Sequence, residues 1–211
     1  FGVVARDVAV GGRSLSLRGL QGQYDEVFLG LYGQHQADNA AVALAAVEAF
    51  VGDVPLDAVQ SAFASVTSPG RLEVVRRNPT VLVDAAHNPH GATVLASALA
   101  ESFTFEYIVG VVSVMADKDV AGVLAAFQGV FDEVVVTWNG SDRAMRVDDI
   151  YALAVHEFGV ERVHRASDMA SAIDAAIARA DEHGQAGVGV VLTGSVVTAA
   201  VGRALLGKGR A

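Results

Sequence analysis

The densest chemistry in the chain lies in Val81-Leu82-Val83-Asp84-Ala85-Ala86-His87-Asn88-Pro89-His90-Gly91. An apolar run ends in a carboxylate, and a polar turn with two histidines then leads into a helical pattern. A carboxylate at a strand end can hold ribose hydroxyls. An imidazole beside a helix N-terminus can meet a phosphate, because the first amides of a helix point their N–H groups outward. The same residues also suit a plain turn, since Asn-Pro favours turn initiation. A metal is a third option, but His87-x-x-His90 lacks carboxylates or cysteines placed to complete a coordination shell, so no metal site is expected. A second polar cluster, Gly33-Gln34-His35-Gln36-Ala37-Asp38-Asn39-Ala40, opens another helix. There the planar amides of Gln36 and Asn39 suit a purine edge, with His35 beside them. The cluster equally suits an ordinary capped helix start, for which Asn and Asp are good residues.

Three other patterns are rejected. Gly202-x-x-x-x-Gly207-Lys208 matches most of a phosphate-binding loop, but Gly209 stands where Ser or Thr is required and the run before it reads as helix. Asn139-Gly140-Ser141 is a glycosylation sequon by its letters and a turn by its context. Gly187-x-Gly189 opens a strand instead of following one, so it is no dinucleotide fingerprint. His156, His164 and His183 have no partners legible in the sequence and read as surface or packing residues.

The elements that must position these residues follow from periodicity. Val3–Val10 and Ser14–Leu17 read as a hairpin about Gly11-Gly12, followed by a strand over Tyr24–Leu31. Helices are predicted from about Gln36 to Val51 and from Leu56 to Ala64, with Pro55 near the first turn of the second. Ser68-Pro69-Gly70 breaks the pattern, so a boundary is placed there, dividing residues 1–67 from 68–211. Beyond it, Leu72–Arg76 and Val81–Asp84 pair as strands. Helices over Gly91–Glu101, Val120–Phe127, Val147–Glu157, Asp168–Asp181 and Ser195–Leu206 then alternate with strands over Tyr107–Ser113, Glu133–Trp138, Arg162–Arg165 and Val188–Thr193. Near-continuous Val-rich strands between helices specify an α/β fold: a Rossmann-like, mostly parallel sheet with helices on both faces. Ligands of such sheets gather at the carboxyl ends of the strands, which points to Asp84–His90, Ser113–Asp119 and Thr193–Ser195.

Composition narrows the function. Hydrophobic residues make up 52% of the 211 and charged ones 18%, which excludes disorder. No apolar stretch is long enough to span a membrane, and no secretory signal is legible, so no membrane partner is expected. Cysteine is absent, which removes thiol chemistry and fits a cytoplasmic location. The net charge of −9 without a basic stripe argues against a nucleic-acid partner. Phe1 is not a Met and opens inside a strand pattern, so an upstream part is expected to be missing.

Five motifs recur in one order: Gly33-x-His35-Gln36-x-x-Asn39-Ala40, Ser68-Pro69-Gly70-Arg71, Asp84-x-Ala86-His87-Asn88-Pro89, Met115-x-Asp117-Lys118-Asp119 and Thr193-Gly194-Ser195. Together they resemble the folylpolyglutamate and dihydrofolate synthases of the Mur ligase superfamily, across essentially the whole chain. Where that family usually has Gly, Ala85 stands here, a small-for-small change. The resemblance implies that residues 1–67 are the β-hairpin and helix remnant of a truncated central ATPase domain, and that 68–211 are the C-terminal Rossmann-like domain. It implies an ATP-dependent amide ligase with magnesium, which phosphorylates a pteroate or folate carboxylate and lets the amine of L-glutamate displace phosphate. In that reading His35, Gln36, Asn39, Arg71 and Asp84 bind ATP, His87 is the catalytic residue near the transferred phosphate, and Lys118 and Ser195 grip glutamate. Lys118 is equally readable as a solvated lysine between two aspartates. The phosphate-binding loop and main magnesium ligands belong upstream in that family, so the chain alone is expected to be inactive, and a monomer. The alternatives are a peptidoglycan-precursor ligase of the same superfamily and a non-catalytic α/β nucleotide-binding module.

Overall fold

A computed structural model describes residues 1–184 and 186–207. The chain divides into two compact units, Phe1–Pro69 and Gly70–Ala211, so the division falls inside the Ser68-Pro69-Gly70 break.

The first unit is a three-stranded antiparallel sheet, β1 (Gly2–Ala9), β2 (Gly12–Arg18) and β3 (Gln23–Leu29), with helices α1 (Gln34–Val51) and α2 (Leu56–Ser65). Leu15 and Leu17 of β2 and Val27 and Leu29 of β3 share one face. They pack on Ala37, Ala40, Ala41 and Leu44, the apolar stripe of α1. The hairpin turn is one residue earlier than the sequence suggested: Ala9 pairs with Gly12, leaving Val10-Gly11 as the turn. Gly12 serves a different need, since a Cβ there would lie 2.1 Å from the Leu29 carbonyl oxygen of β3. The β2–β3 loop is held by Glu48 of α1, a carboxylate only 1% exposed. It accepts from the Tyr24 hydroxyl at 2.7 Å and from the amides of Leu20 and Gln21. Burial alone would push its pKa up; these donors outweigh that and hold it below the ordinary range.

The second unit is a six-stranded sheet in the order β4-β5-β9-β6-β7-β8. Its strands are β4 (Glu73–Arg77), β5 (Thr80–Val83), β6 (Tyr107–Val112), β7 (Glu133–Val136), β8 (Val163–Arg165) and β9 (Val188–Thr193). Edge strand β4 is antiparallel to β5 and every other pair is parallel. The helices are α3 (Pro89–Ser102), α4 (Val120–Ala125), α5 (Val147–Phe158), α6 (Met169–His183) and α7 (Val196–Leu205). Val81, Val83, Val109, Val111, Val135, Val190 and Leu192 pack on α6 and on Ala199 of α7. The alternate residues Leu82, Val112, Val134, Val136 and Val191 are just as buried, so both faces of the sheet are covered. The expected Rossmann-like class is therefore the observed one. After β8 the chain returns through α6 to place β9 between β5 and β6. In a doubly wound sheet such a reversal marks the carboxyl ends of the neighbouring strands as the place where ligands bind.

Of the rejected phosphate-loop pattern, Gly202 lies in α7, where a Cβ would meet Leu192 at 2.4 Å, so packing accounts for it. Lys208 and Gly209 lie outside the described residues.

Candidate functional site

At the carboxyl ends of these strands, the ladder between β5 and β9 runs one residue past β5, with the Asp84 amide donating to the Leu192 carbonyl at 2.9 Å. Asp84 is 9% exposed, and its carboxylate is in use. Oδ2 accepts from the Leu72 amide at 2.8 Å and Oδ1 from the Ala86 amide at 2.7 Å. The Ala85 amide in turn donates to the Gly70 carbonyl at 2.9 Å. The turn Gly70-Arg71-Leu72 is thereby pinned to the turn that carries His87. Leu72 adopts φ 46°, a left-handed conformation that a leucine holds only when its surroundings impose it. Arg71, exposed at the tip of this turn, lies at the same end of the sheet as Asp84 and His87.

His87 Nδ1 lies 3.0 Å from the Ala85 carbonyl. A carbonyl only accepts, so Nδ1 carries the proton, and Nε2 becomes a donor only in the imidazolium. A contact from Nε2 to a phosphate oxygen therefore requires the charged ring. Asn88 caps α3: its Oδ1 accepts from the Gly91 amide at 2.8 Å, with Pro89 in the first turn. The Asn-Pro pair thus starts the helix whose N-terminus lies beside His87.

The turn after β9 packs against the one after β5, with the Gly194 amide donating to the Ala86 carbonyl at 3.0 Å. Gly194 has φ 110°, and a Cβ there would lie 2.6 Å from the Ser113 carbonyl oxygen, so this position requires glycine. Ser195 is 2% exposed and caps α7, its hydroxyl accepting from the Thr198 amide at 2.9 Å. Asn139 Nδ2 also reaches it, at 3.1 Å. The hydroxyl expected to grip a carboxylate is thus engaged within the protein.

Lys118 follows β6 in a loop braced by residues 143–145: Met115 and Ala144 form an antiparallel bridge, and the Ala116 amide donates to the Arg143 carbonyl. Its Nζ lies 3.0 Å from Asp117 Oδ2, while Arg143 donates to Asp117 Oδ1 at 3.0 Å. These two bonds, Lys118 first, hold the Asp117 carboxyl below its ordinary range. Asp119 is the cap of α4, accepting from the Gly122 amide. Both aspartates flanking Lys118 therefore have structural partners, and Lys118 is placed as half of a partly exposed ion pair.

In the first unit, α1 begins at Gln34, two residues earlier than expected, with Gly33 at the cap position and no side-chain cap bond. Asp38 and Asn39 fall inside the helix. Asn39 Nδ2 donates to Gln36 Oε1 at 3.2 Å, which joins the two amides, and Gln36 is buried while Asn39 is exposed.

The sequence did not disclose Asn139 or Thr198 as site residues, nor the structural role of Asp117, nor a cluster at the opposite, amino-terminal edge of the sheet. There Glu133 accepts from the Tyr107 hydroxyl, from Arg179 at 2.7 Å and from His164, with His183 stacked on the Tyr107 ring at 3.6 Å between centroids. His164 and His183, read as partnerless, both belong to it. Burial works to raise the Glu133 pKa, and the bonds from Tyr107 and His164 with the charge of Arg179 outweigh it, leaving it low. Burial and Glu133 together push the Tyr107 hydroxyl up. Among the described residues, no group of three or more His, Asp or Glu side chains is placed to hold a metal ion. Nor is any helix long and apolar enough to cross a membrane.

A protein-family model described as "Mur ligase, glutamate ligase domain" matches residues 70–196, beginning where the second unit begins. The dihydrofolate synthase/folylpolyglutamate synthase of Mycobacterium tuberculosis is 50% identical over 222 residues, covering 99% of this chain and 46% of that protein. Among solved structures, Mycobacterium tuberculosis folylpolyglutamate synthase complexed with ADP matches with a TM-score of 0.94 at 51% identity, covering 97% of this chain and 47% of that one. Escherichia coli FolC in complex with DHPP and ADP matches with a TM-score of 0.75 at 27% identity, covering 92% and 43%. The chain spans about half the length of the relatives it matches. The resemblance carried by the five sequence motifs is borne out, and the chain belongs to the Mur ligase family, with a glutamate ligase domain as its second unit.

Proposed function

We propose that this chain is part of an ATP-dependent ligase that joins L-glutamate to dihydropteroate or to a folate through an acyl-phosphate intermediate, and that it is inactive without the rest of that protein. The observation that carries the reading is the pinning of the Arg71 turn to the Asp84–His87 turn at the switch point of a parallel sheet. A guanidinium, a carboxylate and an imidazole at one helix N-terminus suit a nucleotide: Arg71 offers forked donors to phosphate, Asp84 an acceptor to ribose, and His87 a charged N–H near the transferred group. In the first unit the linked amides of Gln36 and Asn39, with His35, suit adenine. Magnesium, in this reading, is held mainly by groups outside this chain. Bound there, it would supply neutralisation of the phosphate charge.

For glutamate, Lys118 is assigned as the charge that attracts a carboxylate. Ser195 holds the N-terminus of α7 in place, since a direct contact with glutamate would require its hydroxyl to leave bonds it already makes. The folate branch is preferred over the peptidoglycan-precursor branch because both Mycobacterium tuberculosis relatives above are folate-linked synthases by name. The protein is taken to be cytoplasmic and monomeric.

The test is product formation from dihydropteroate or a folate, dependent on ATP and glutamate, with the full-length ligase and with this chain alone. Turnover by the full-length protein and none by the chain supports the reading. Robust turnover by the chain alone, or a full-length enzyme indifferent to both pteroate and folate, overturns it.

A further inference from the structure

Four buried groups at the carboxyl edge of the sheet form a closed set of hydrogen bonds whose directions can be assigned. Asn139 Nδ2 donates to Ser195 Oγ and to Thr198 Oγ1, both at 3.1 Å. Thr198 Oγ1 donates to the Ser113 carbonyl at 2.8 Å, the only direction that bond allows. Thr198 has then spent its proton, so the 2.8 Å contact between the two hydroxyls runs from Ser195 to Thr198. Ser195 Oγ accepts from the Thr198 amide and from Asn139, which fills its two acceptor positions. Thr198 Oγ1 is filled likewise by Asn139 and Ser195. No donor or acceptor of Ser195 or Thr198 is left over. Asn139 is 2% exposed and Thr198 fully buried, so solvent does not compete.

The set joins parts of the site that the chain alone does not. Asn139 follows β7, Ser113 follows β6, and Ser195 with Thr198 opens α7. Asn139 Oδ1 accepts from the Ser141 amide at 3.1 Å, which shapes the turn leading to Arg143. The Arg143 amide donates to the Ser141 hydroxyl, and its guanidinium holds Asp117, the partner of Lys118. One amide side chain thus connects the N-terminal turn of α7 to the brace of the Lys118 loop.

We propose that Asn139 is a positioning residue for the amino-acid step: it fixes Lys118 and the α7 N-terminus in register, so that the incoming glutamate meets both. The inference rests on the assignment of Lys118 to glutamate. Fixed geometry of this kind matters because displacing a reacting group by about 1 Å costs up to a hundredfold in rate.

The test uses the full-length ligase with glutamate and ATP varied in turn. Asn139→Leu should raise the KM for glutamate by about ten- to a hundredfold while leaving the KM for ATP within about twofold. Thr198→Val removes one hydroxyl from the same set at similar volume and should give the same selective defect, whereas Thr198→Ser should restore the wild-type value. In the double variant Asn139→Leu with Thr198→Val the two effects should fall short of multiplying, because they break one network. Equal increases in both KM values, or a glutamate KM unchanged in folded Thr198→Val, overturn the proposal. Lys118→Ala separates the two readings. If it raises the glutamate KM while the Asn139 and Thr198 variants do not, the positioning role fails and the glutamate assignment stands. If Lys118→Ala changes nothing, the assignment fails and the positioning proposal falls with it.

Discussion

Replacing Asp84 tests the join on which the nucleotide side of the site depends. Asp84→Ala removes the acceptor for two backbone amides, those of Leu72 and Ala86, at 2.8 and 2.7 Å. A hydrogen bond to a charged group contributes roughly 1.5–3 kcal/mol, so the loss is about 3–6 kcal/mol. Part of it is recovered: with its amide released, Leu72 can leave φ 46°, which relieves about 1–2 kcal/mol. The net destabilisation is then roughly 2–4 kcal/mol, a shift of about 5–15 °C in Tm for a domain of this size. Asp84→Asn retains an oxygen for one amide and turns its NH₂ toward the other, so about half the effect is expected. The single tryptophan, Trp138, follows β7 in the second unit and makes a selective fluorescent reporter for urea unfolding. Measured in the full-length ligase well below its melting temperature, ATP affinity should also fall about ten- to a hundredfold. An unfolding free energy within about 0.5 kcal/mol of wild type would refute the anchoring role. Lost ATP affinity with intact stability would make Asp84 purely a ligand group. Lost stability with intact ATP affinity would make it purely structural.

Gly110→Ala should destabilise the second unit by about 1–3 kcal/mol, because its Cβ would lie 2.3 Å from the ring of buried Phe131, itself stacked on Phe127; an unchanged urea midpoint would contradict this. Glu133→Gln should cost on the order of 3 kcal/mol at neutral pH by leaving Arg179 and Tyr107 without their carboxylate. Because the folded pKa of Glu133 is depressed, its contribution is present above the ordinary glutamate range and lost as the pH falls through the folded value, so wild type and variant should converge only in acid, below the ordinary glutamate range. A gap that persists in acid would count against the assignment. Lys118→Ala in the full-length ligase should raise the apparent KM for glutamate and leave that for ATP nearly unchanged; a rise confined to ATP would reverse the division of the site, and no change in either would leave Lys118 as the solvated partner of Asp117.

The second unit was legible because parallel strands buried on both faces read as continuous apolar runs. Val188–Thr193 and Tyr107–Val112 could be placed almost to the residue. The first unit was less so where backbone contact decides: Gly12 reads as a turn glycine, yet its neighbours make the turn and the Leu29 carbonyl of another strand excludes a side chain there. Helix α1 starts two residues before the expected Gln36, because Gly33 occupies the cap position without a side chain to announce it.

What the letters could not supply is the pairing of distant polar residues, which depends on where a returning strand is inserted. Asn139 meets Ser195 and Thr198 across separations of 56 and 59 residues, and only because β9 re-enters beside β6. From the sequence, Ser195 is a hydroxyl at a strand end, and it does stand between β9 and α7. Its chemistry depends on something else: whether its lone pairs and proton are already taken. Two residues take them, Asn139 after β7 and Thr198 in α7, and each is an unremarkable Asn or Thr in its own local context. The location of a site in a doubly wound sheet is thus set by strand patterning, which a sequence displays. The division of its polar groups into those that touch a ligand and those that hold the others still is set by long-range register, which it does not. Asn139, read locally as a turn residue, is where that difference can be measured.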